Sequence, residues 1–171
     1  MSEATALFSR DFDALQAGDR FSSRGRTVTE ADVVGFAGLT GDFHPQHTDE
    51  EWARERRFGG RVAHGMLVLS YALGLVPFDP ERIVALRRIS DAVFKRPVAL
   101  GDTMHVEGRI ESAEQVDAEH GLVGSAWRVV NQRGQMVARL RVEVVWRRGE
   151  IATPGGAEGS AEEDGRRGEP A

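Results

Sequence analysis

Hydrophobic and polar positions follow two different spacings along this chain. Residues 65–76 carry no charged side chain, so a helix here would be buried on every side, as a helix enclosed by a sheet is. Leu140, Val142 and Val144 alternate with charged residues, and a period of two predicts a strand with one solvent-facing side. The same reasoning predicts strands over 83–94, 103–112, 122–130 and 136–147. One apolar helix followed by several strands predicts the α+β class.

The polar segment before the apolar stretch predicts an edge strand and two short helices. Residues 19–28 are predicted to be the strand, and Thr29 with Asp32 forms a variant capping box that opens the first helix. A second box is predicted to begin at Thr48. Residues 42–47 are then a loop between two helix ends, and such loops are where functional groups concentrate.

Composition and charge narrow the class of protein. The chain has 171 residues, of which 40% are apolar, which is enough for one sizeable core. It has no cysteine, which excludes disulfides and thiol catalysis and suits a reducing cytosol. The net charge of -5 has both signs mixed along the chain, and the longest uncharged run, 63–78, is short for a bilayer span. We expect a soluble, cytoplasmic protein with no nucleic-acid or membrane partner.

Three segments are expected from the distribution of residue types. Residues 1–18 form an N-terminal lead-in, 19–148 form a single domain and 149–171 form a disordered tail. The tail is nearly all Gly, Ala, Glu, Arg, Pro and Asp, and Ile151 is its only large apolar side chain. Such a segment cannot bury enough surface to offset the entropy lost on ordering.

Candidate chemistry lies in residues 41–47 and at His64. The carboxylate of Asp42 and the imidazole of His47, separated by a proline, can hold one water between a proton acceptor and a proton donor. Alternatively, Asp42 caps a turn and His64 bonds backbone beside a helix N-terminus. A metal site has suitable ligand types in Asp42, His44, His47 and His64, but this is not a helical ligand spacing, so no metal is expected.

Three blocks of sequence resemble one family, the MaoC-like, R-specific enoyl-CoA hydratases. Residues 36–47 resemble the family's aromatic, small-residue, Gly-Asp-x-Asn-Pro-x-His signature, with the same spacing from the acid to the last histidine. Residues 58–66 and 94–103 agree with two further blocks in order and distance. The resemblance covers 19 to about 148 and implies a hot dog fold, in which a curled antiparallel sheet wraps one central helix, and a homodimer.

The chemistry implied by this resemblance is reversible hydration of a trans-2-enoyl thioester to the (R)-3-hydroxyacyl thioester, without a cofactor. Coenzyme A or an acyl carrier protein would carry the acyl group, with Lys95 and Arg96 as an option for binding the carrier's phosphate. Asp42 and His47 would be the catalytic pair, and which is base and which is acid stays open. Gly65 is expected in the oxyanion hole, because a helix N-terminus offers free N–H groups there. Further substrate contacts are expected from His44, His64 and Ser70.

Two departures from the family pattern keep other functions open. His44 stands where the signature usually has Asn, and Leu73 stands where many members carry a serine, with Ser70 nearly one turn earlier. A hot dog thioesterase would hydrolyse the same thioester. A descendant of the hydratases would only bind enoyl thioesters, or would add another nucleophile to them.

Overall fold

Long antiparallel strands form one sheet in the computed structural model, which describes residues 3–149. The strands are β1 (Arg20–Ser22), β2 (Arg26–Thr27), β3 (Ile83–Phe94), β4 (Thr103–Gln115), β5 (His120–Asn131) and β6 (Met136–Arg147). The helices are α1 (Glu3–Phe8), α2 (Glu30–Thr40), α3 (Pro45–Thr48), α4 (Glu50–Arg54) and α5 (Gly65–Leu75), with a 3-10 turn at Phe12–Ala14.

The sheet has the strand order β1-β4-β5-β6-β3, and β2 also pairs with β4. The limits of β3 and β6 agree with the prediction from hydrophobic alternation, and β4 continues three residues beyond its predicted end. The predicted edge strand 19–28 is two short pieces, because the chain leaves the β4 edge after β1 and returns to it at β2. β3 ends the sheet on the other side and pairs only with β6 among the described residues.

The central helix α5 packs against the inner face of the sheet. Its buried side chains join one core with residues from β4, β5 and β6; they are Leu67, Val68, Leu69, Ala72 and Leu75. This arrangement confirms the α+β class. The prediction that the helix is buried on every side was wrong, because Met66, Ser70 and Gly74 face solvent where no strand covers them.

The segment before β1 also contributes to the core. Leu7, Phe8, Phe12 and Leu15 are each at most 7% exposed. The Phe8 ring lies edge-on to Phe21, with 4.9 Å between ring centroids. It also stacks on Trp146, near the end of β6, with 5.8 Å between centroids. The predicted tail lies outside the described residues apart from Gly149.

The sequence predicted the capping residues of two helices before α5, and one of the two predictions was correct. The Thr29–Asp32 capping box is present and opens α2. The second start is capped by Asp49, whose carboxylate accepts from Trp52 N at 2.9 Å, and the predicted cap at Thr48 was wrong. Thr48 is the last residue of α3, and its hydroxyl donates instead to the carbonyl oxygen of Phe43. The predicted loop over 42–47 therefore contains a short helix.

Across residues 3–149, no helix combines the length and the apolar character needed to cross a bilayer.

Candidate active site

Two hydrogen bonds join the backbone of Val62 to α3, one to the ring of His47 and one to the residue before it. Nδ1 of His47 lies 2.7 Å from the carbonyl oxygen of Val62, and Val62 N donates to the carbonyl oxygen of Gln46. A carbonyl oxygen only accepts, so in the neutral ring Nδ1 carries the proton and Nε2 keeps a free lone pair. Because the ring is 7% exposed, that lone pair faces the interior of a pocket rather than bulk solvent.

The surroundings of His47 favour its neutral form. Burial lowers the pKa of His47 below its usual 6.5, and this effect outweighs the bond to Val62, which favours the charged form. The neighbouring rings of His64 and His44 lower the pKa of His47 further, whereas the carboxylate of Asp42 raises it. His47 is therefore a proton acceptor at neutral pH.

Asp42 follows the left-handed residue Gly41, which ends α2 with φ 76° and turns the chain sharply. Its Oδ1 accepts from His44 N at 3.3 Å, so the side chain does cap a turn, as one alternative expected. A carboxylate has about four acceptor positions, and this bond uses one of them. The exposed carboxylate of Asp42 can still bind a water or a substrate.

His64 connects the two catalytic candidates. Its Nε2 lies 3.0 Å from the carbonyl oxygen of Asp42, and its ring stacks on His47 with 3.8 Å between centroids. One polar atom from each of Asp42, His47 and His64 lies within 4.8 Å of the others. One water bonded to two acceptors at ordinary lengths and a tetrahedral angle would separate them by about 4.6 Å. The Asp42 carboxylate and the His47 ring are thus close enough for one bridging water.

The same three residues are ligand types that zinc accepts. However, the rings of His47 and His64 are stacked 3.8 Å apart with only 26° between their planes, so their in-plane lone pairs lie in nearly parallel planes, an arrangement that does not favour convergence on one ion. Nδ1 of His47 and Nε2 of His64 are also bonded to carbonyl oxygens. The geometry favours proton transfer over metal binding, and His44, the fourth candidate ligand, is not in this cluster.

Gly65 begins α5, so its N–H has no acceptor within the helix. A Cβ at this position would lie 2.8 Å from Cζ of Phe94, so a larger residue fits only if that ring moves. The ring of Phe94 and the backbone of Gly65 line two adjoining cavities. The Asp42 cavity, of about 350 Å³, is also lined by His64, and the His47 cavity, of about 420 Å³, is also lined by Arg57, Lys95 and Arg96.

Two predicted substrate contacts lie away from both cavities. His44 is the N-cap of α3, where its Nδ1 accepts from Gln46 N at 3.1 Å, a bond that an asparagine side chain could also make. Ser70 is exposed and donates to the carbonyl oxygen of Met66 within α5. Leu73 packs against the core. Arg57 and Phe94 line the site without having been singled out, although Phe94 begins one of the three family-like blocks.

The chain is similar to known proteins in sequence and in fold. A family model described as the MaoC like domain matches residues 14–131. An (R)-specific enoyl-CoA hydratase of Rhodospirillum rubrum is 35% identical over 96 residues, which are 54% of this chain and 64% of that protein. The chain spans less than two thirds of the first three curated relatives that it matches, between 30% and 64% of their lengths.

Solved structures show the same fold. One described as a monoamine oxidase regulatory protein from Archaeoglobus fulgius has a TM-score of 0.77 at 37% identity, covering 82% of this chain and 96% of that one. A Mycobacterium tuberculosis protein with a double hotdog fold has a TM-score of 0.74 at 20% identity, covering 94% of this chain and 53% of that one. The fold is thus the hot dog fold, and the chain belongs to the MaoC-like domain family.

Proposed function

We propose that the protein catalyses the reversible hydration of 2-enoyl thioesters to (R)-3-hydroxyacyl thioesters. The observation that carries the proposal is that a carboxylate oxygen of Asp42 and a ring nitrogen of His47 lie within 4.8 Å, a distance that one water can bridge. The names of the relatives supply the reaction and its stereochemistry, because hydratases and dehydratases are prominent among them. Addition of water to a double bond requires a group that removes a proton from water and a group that delivers one to carbon, and such groups can act from either side of a bridging water.

In the proposed reaction, a water bridges Asp42 and His47, and its oxygen attacks C3 of the enoyl group. His47 takes one water proton at Nε2 while the C2–C3 π electrons move toward the thioester oxygen. Its lowered pKa makes the resulting imidazolium a good acid, which then returns the proton to C2. Asp42 stays ionised, orients the water and stabilises the imidazolium.

We place the thioester oxygen at the N–H of Gly65. Negative charge develops on this oxygen as water adds, and a free backbone donor at the start of α5 stabilises it. The ring of Phe94 against Gly65 would form one wall of the thioester site.

The carrier of the acyl group would run through the His47 cavity. Arg57, Lys95 and Arg96 line that cavity together with His47 and supply three positive charges. Coenzyme A and the phosphopantetheine arm of an acyl carrier protein both carry phosphate, which such side chains bind. Arg57→Ala should raise KM for crotonyl-CoA but not for the N-acetylcysteamine thioester, which has no phosphate. An equal rise for both substrates would argue against this assignment.

We also propose that the protein forms a homodimer through β3. This strand leaves one edge unpaired within the described chain, and its exposed side chains include Val84 and Leu86, which are 49% and 47% exposed. An unpaired edge with apolar side chains is a template for pairing with another strand.

The test of the proposed reaction is loss of enoyl-thioester absorbance with crotonyl-CoA, followed by chiral analysis of the product. Asp42→Asn and His47→Ala should each lower kcat by about 10²- to 10⁴-fold, the usual contribution of acid–base catalysis. His105→Ala, a change at a histidine on β4 outside both cavities, is the matched control.

Three outcomes would count against the proposal. They are formation of the (S) product, full activity of both variants with folded protein, and thiol release from saturated butyryl-CoA without hydration. The last would favour a thioesterase.

A further inference from the structure

A second imidazole, that of His64, lies beside the proposed catalytic pair, and the proposed reaction does not use it. His64 is 2% exposed, less than either Asp42 or His47. Its Nδ1 is buried and has no hydrogen-bond partner among residues 3–149. A buried polar atom without a partner costs free energy, so a residue that keeps one needs another reason to be there.

One reason lies in the bond from His64 to the backbone of Asp42. The two residues are 22 positions apart, and the bond between Nε2 and the carbonyl oxygen joins the end of α2 to the start of α5. Asp42 itself is exposed and follows a glycine with φ 76°, so its own surroundings restrain it little. Its backbone N–H donates to the Thr40 hydroxyl and its Oδ1 accepts from His44 N, each at 3.3 Å, and both bonds are local.

A second reason lies in the ring stack. The His64 ring lies 3.8 Å from the His47 ring and 5.1 Å from the Phe36 ring, measured between centroids. Phe36 is on α2 and His47 is on α3, so the His64 ring contacts both helices that flank Asp42. The hydrogen bond and the ring stack together hold the Asp42 backbone and the His47 ring against the same side chain, that of His64.

The tautomer of His64 follows from its partners. The carbonyl oxygen of Asp42 only accepts, so Nε2 carries the proton and Nδ1 is bare. A second proton would place an N–H without an acceptor in the interior, beside the ring of His47. The bond to the Asp42 carbonyl and the lack of a partner for Nδ1 both favour the Nε2–H tautomer.

We propose that His64 is a positioning residue, which donates from Nε2 to the Asp42 backbone and so holds the carboxylate at water-bridging distance from His47. The inference rests on the proposed function for its effect on turnover, but the hydrogen bond can be tested without substrate. His64 would not touch the reacting atoms.

Two variants separate the hydrogen bond from the ring. His64→Phe keeps an aromatic ring and loses the donor, and His64→Gln keeps an N–H near the position of Nε2. Because a small displacement of a catalytic group can cost about 10²-fold, kcat of H64F should fall by about that factor while KM changes less than about threefold. H64Q should recover most of the loss. His105→Phe and His105→Gln are the matched controls on the surface of β4.

Full activity in H64F, or equal losses in the two variants, would overturn the proposal. A second measurement on the unchanged protein covers the case in which H64F does not fold. Long-range ¹H–¹⁵N correlation should show His64 with a proton at Nε2. An Nδ1–H tautomer with a bare Nε2 would overturn the proposal, whether or not the protein hydrates any thioester.

Discussion

A single backbone carbonyl, that of Val62, determines which nitrogen of His47 can take a proton. It is held in place from several sides, since Val62 N bonds Gln46 and the residue also forms an isolated bridge with Ala99. The neighbouring Arg61 pairs with both Glu30 and Glu50, and so ties this segment to α2 and α4. The catalytic tautomer is therefore a property of the surrounding backbone as much as of the histidine.

The lowered pKa of His47 predicts the acid side of the pH profile. A histidine with its usual pKa of 6.5 would be protonated, and lost as a base, below that pH. Because burial lowers the pKa of His47, the neutral base persists to lower pH, and the acid limb of kcat/KM should have its midpoint below pH 6.5. Measurement of kcat/KM against pH checks this, with the imidazole signals of His47 as a parallel titration. An acid limb with its midpoint at or above pH 6.5 would contradict this prediction.

His44 is predicted to matter for the turn and not for the reaction. His44→Asn should keep activity within about threefold, because the amide oxygen can accept from Gln46 N as Nδ1 does now. His44→Ala removes that acceptor and should lower the free energy of unfolding by about 1 kcal/mol. Chemical denaturation and crotonyl-CoA hydration, measured on both variants, separate the two effects. Loss of turnover in a stable H44N would instead give the ring a chemical role.

At the level of elements, the two glycines of α5 should respond differently to the same change. Gly74 has open space around it, and Gly74→Ala should stabilise the protein by roughly 0.5–1 kcal/mol through helix propensity. Gly65→Ala places a methyl group against Phe94, whose half-exposed ring can move aside. G65A should therefore fold, but it should lose at least about tenfold in kcat, because the methyl group and the displaced ring occupy the thioester site.

Thermal unfolding and turnover, measured on both glycine variants, check this pair of predictions. G74A serves as the control for adding a methyl group to α5. Equal kcat in the two variants would remove Gly65 from the proposed oxyanion site.

Elements with a strong hydrophobic period could be predicted from the sequence. A helix start at which two neighbouring residues can both act as the cap could not. Alternation in Leu140, Val142 and Val144 was sufficient to define β6, because one face of that strand is buried. Thr48 and Asp49 can both cap a helix, and only the fold shows that Pro45 starts α3 first and leaves Asp49 as the cap. The pair Asp42 and His47 stood out through a family-like spacing. No local pattern shows that His64 stacks on His47, because that contact depends on how α3 and α5 meet.

At the scale of the whole molecule, the proposed dimer can be tested at the β3 edge. Leu86→Lys places a charge on this edge and should shift the protein from dimer to monomer in sedimentation velocity. Val116→Lys is the matched control, since Val116 is 63% exposed on the turn after β4. A dimer that survives L86K, or that V116K disrupts equally, would place the interface elsewhere.

The size of the side chain at position 94 affects both which acyl groups the proposed site would accept and how closely it would confine them. The Phe94 ring is a wall of both cavities, so a smaller residue would merge about 420 Å³ and 350 Å³ of space. Longer or branched acyl groups would gain room, while the shortest would lose the surface that confines them. A smaller residue at position 94 would therefore lower the rate with short acyl groups and widen the range of acyl groups that the proposed site accepts.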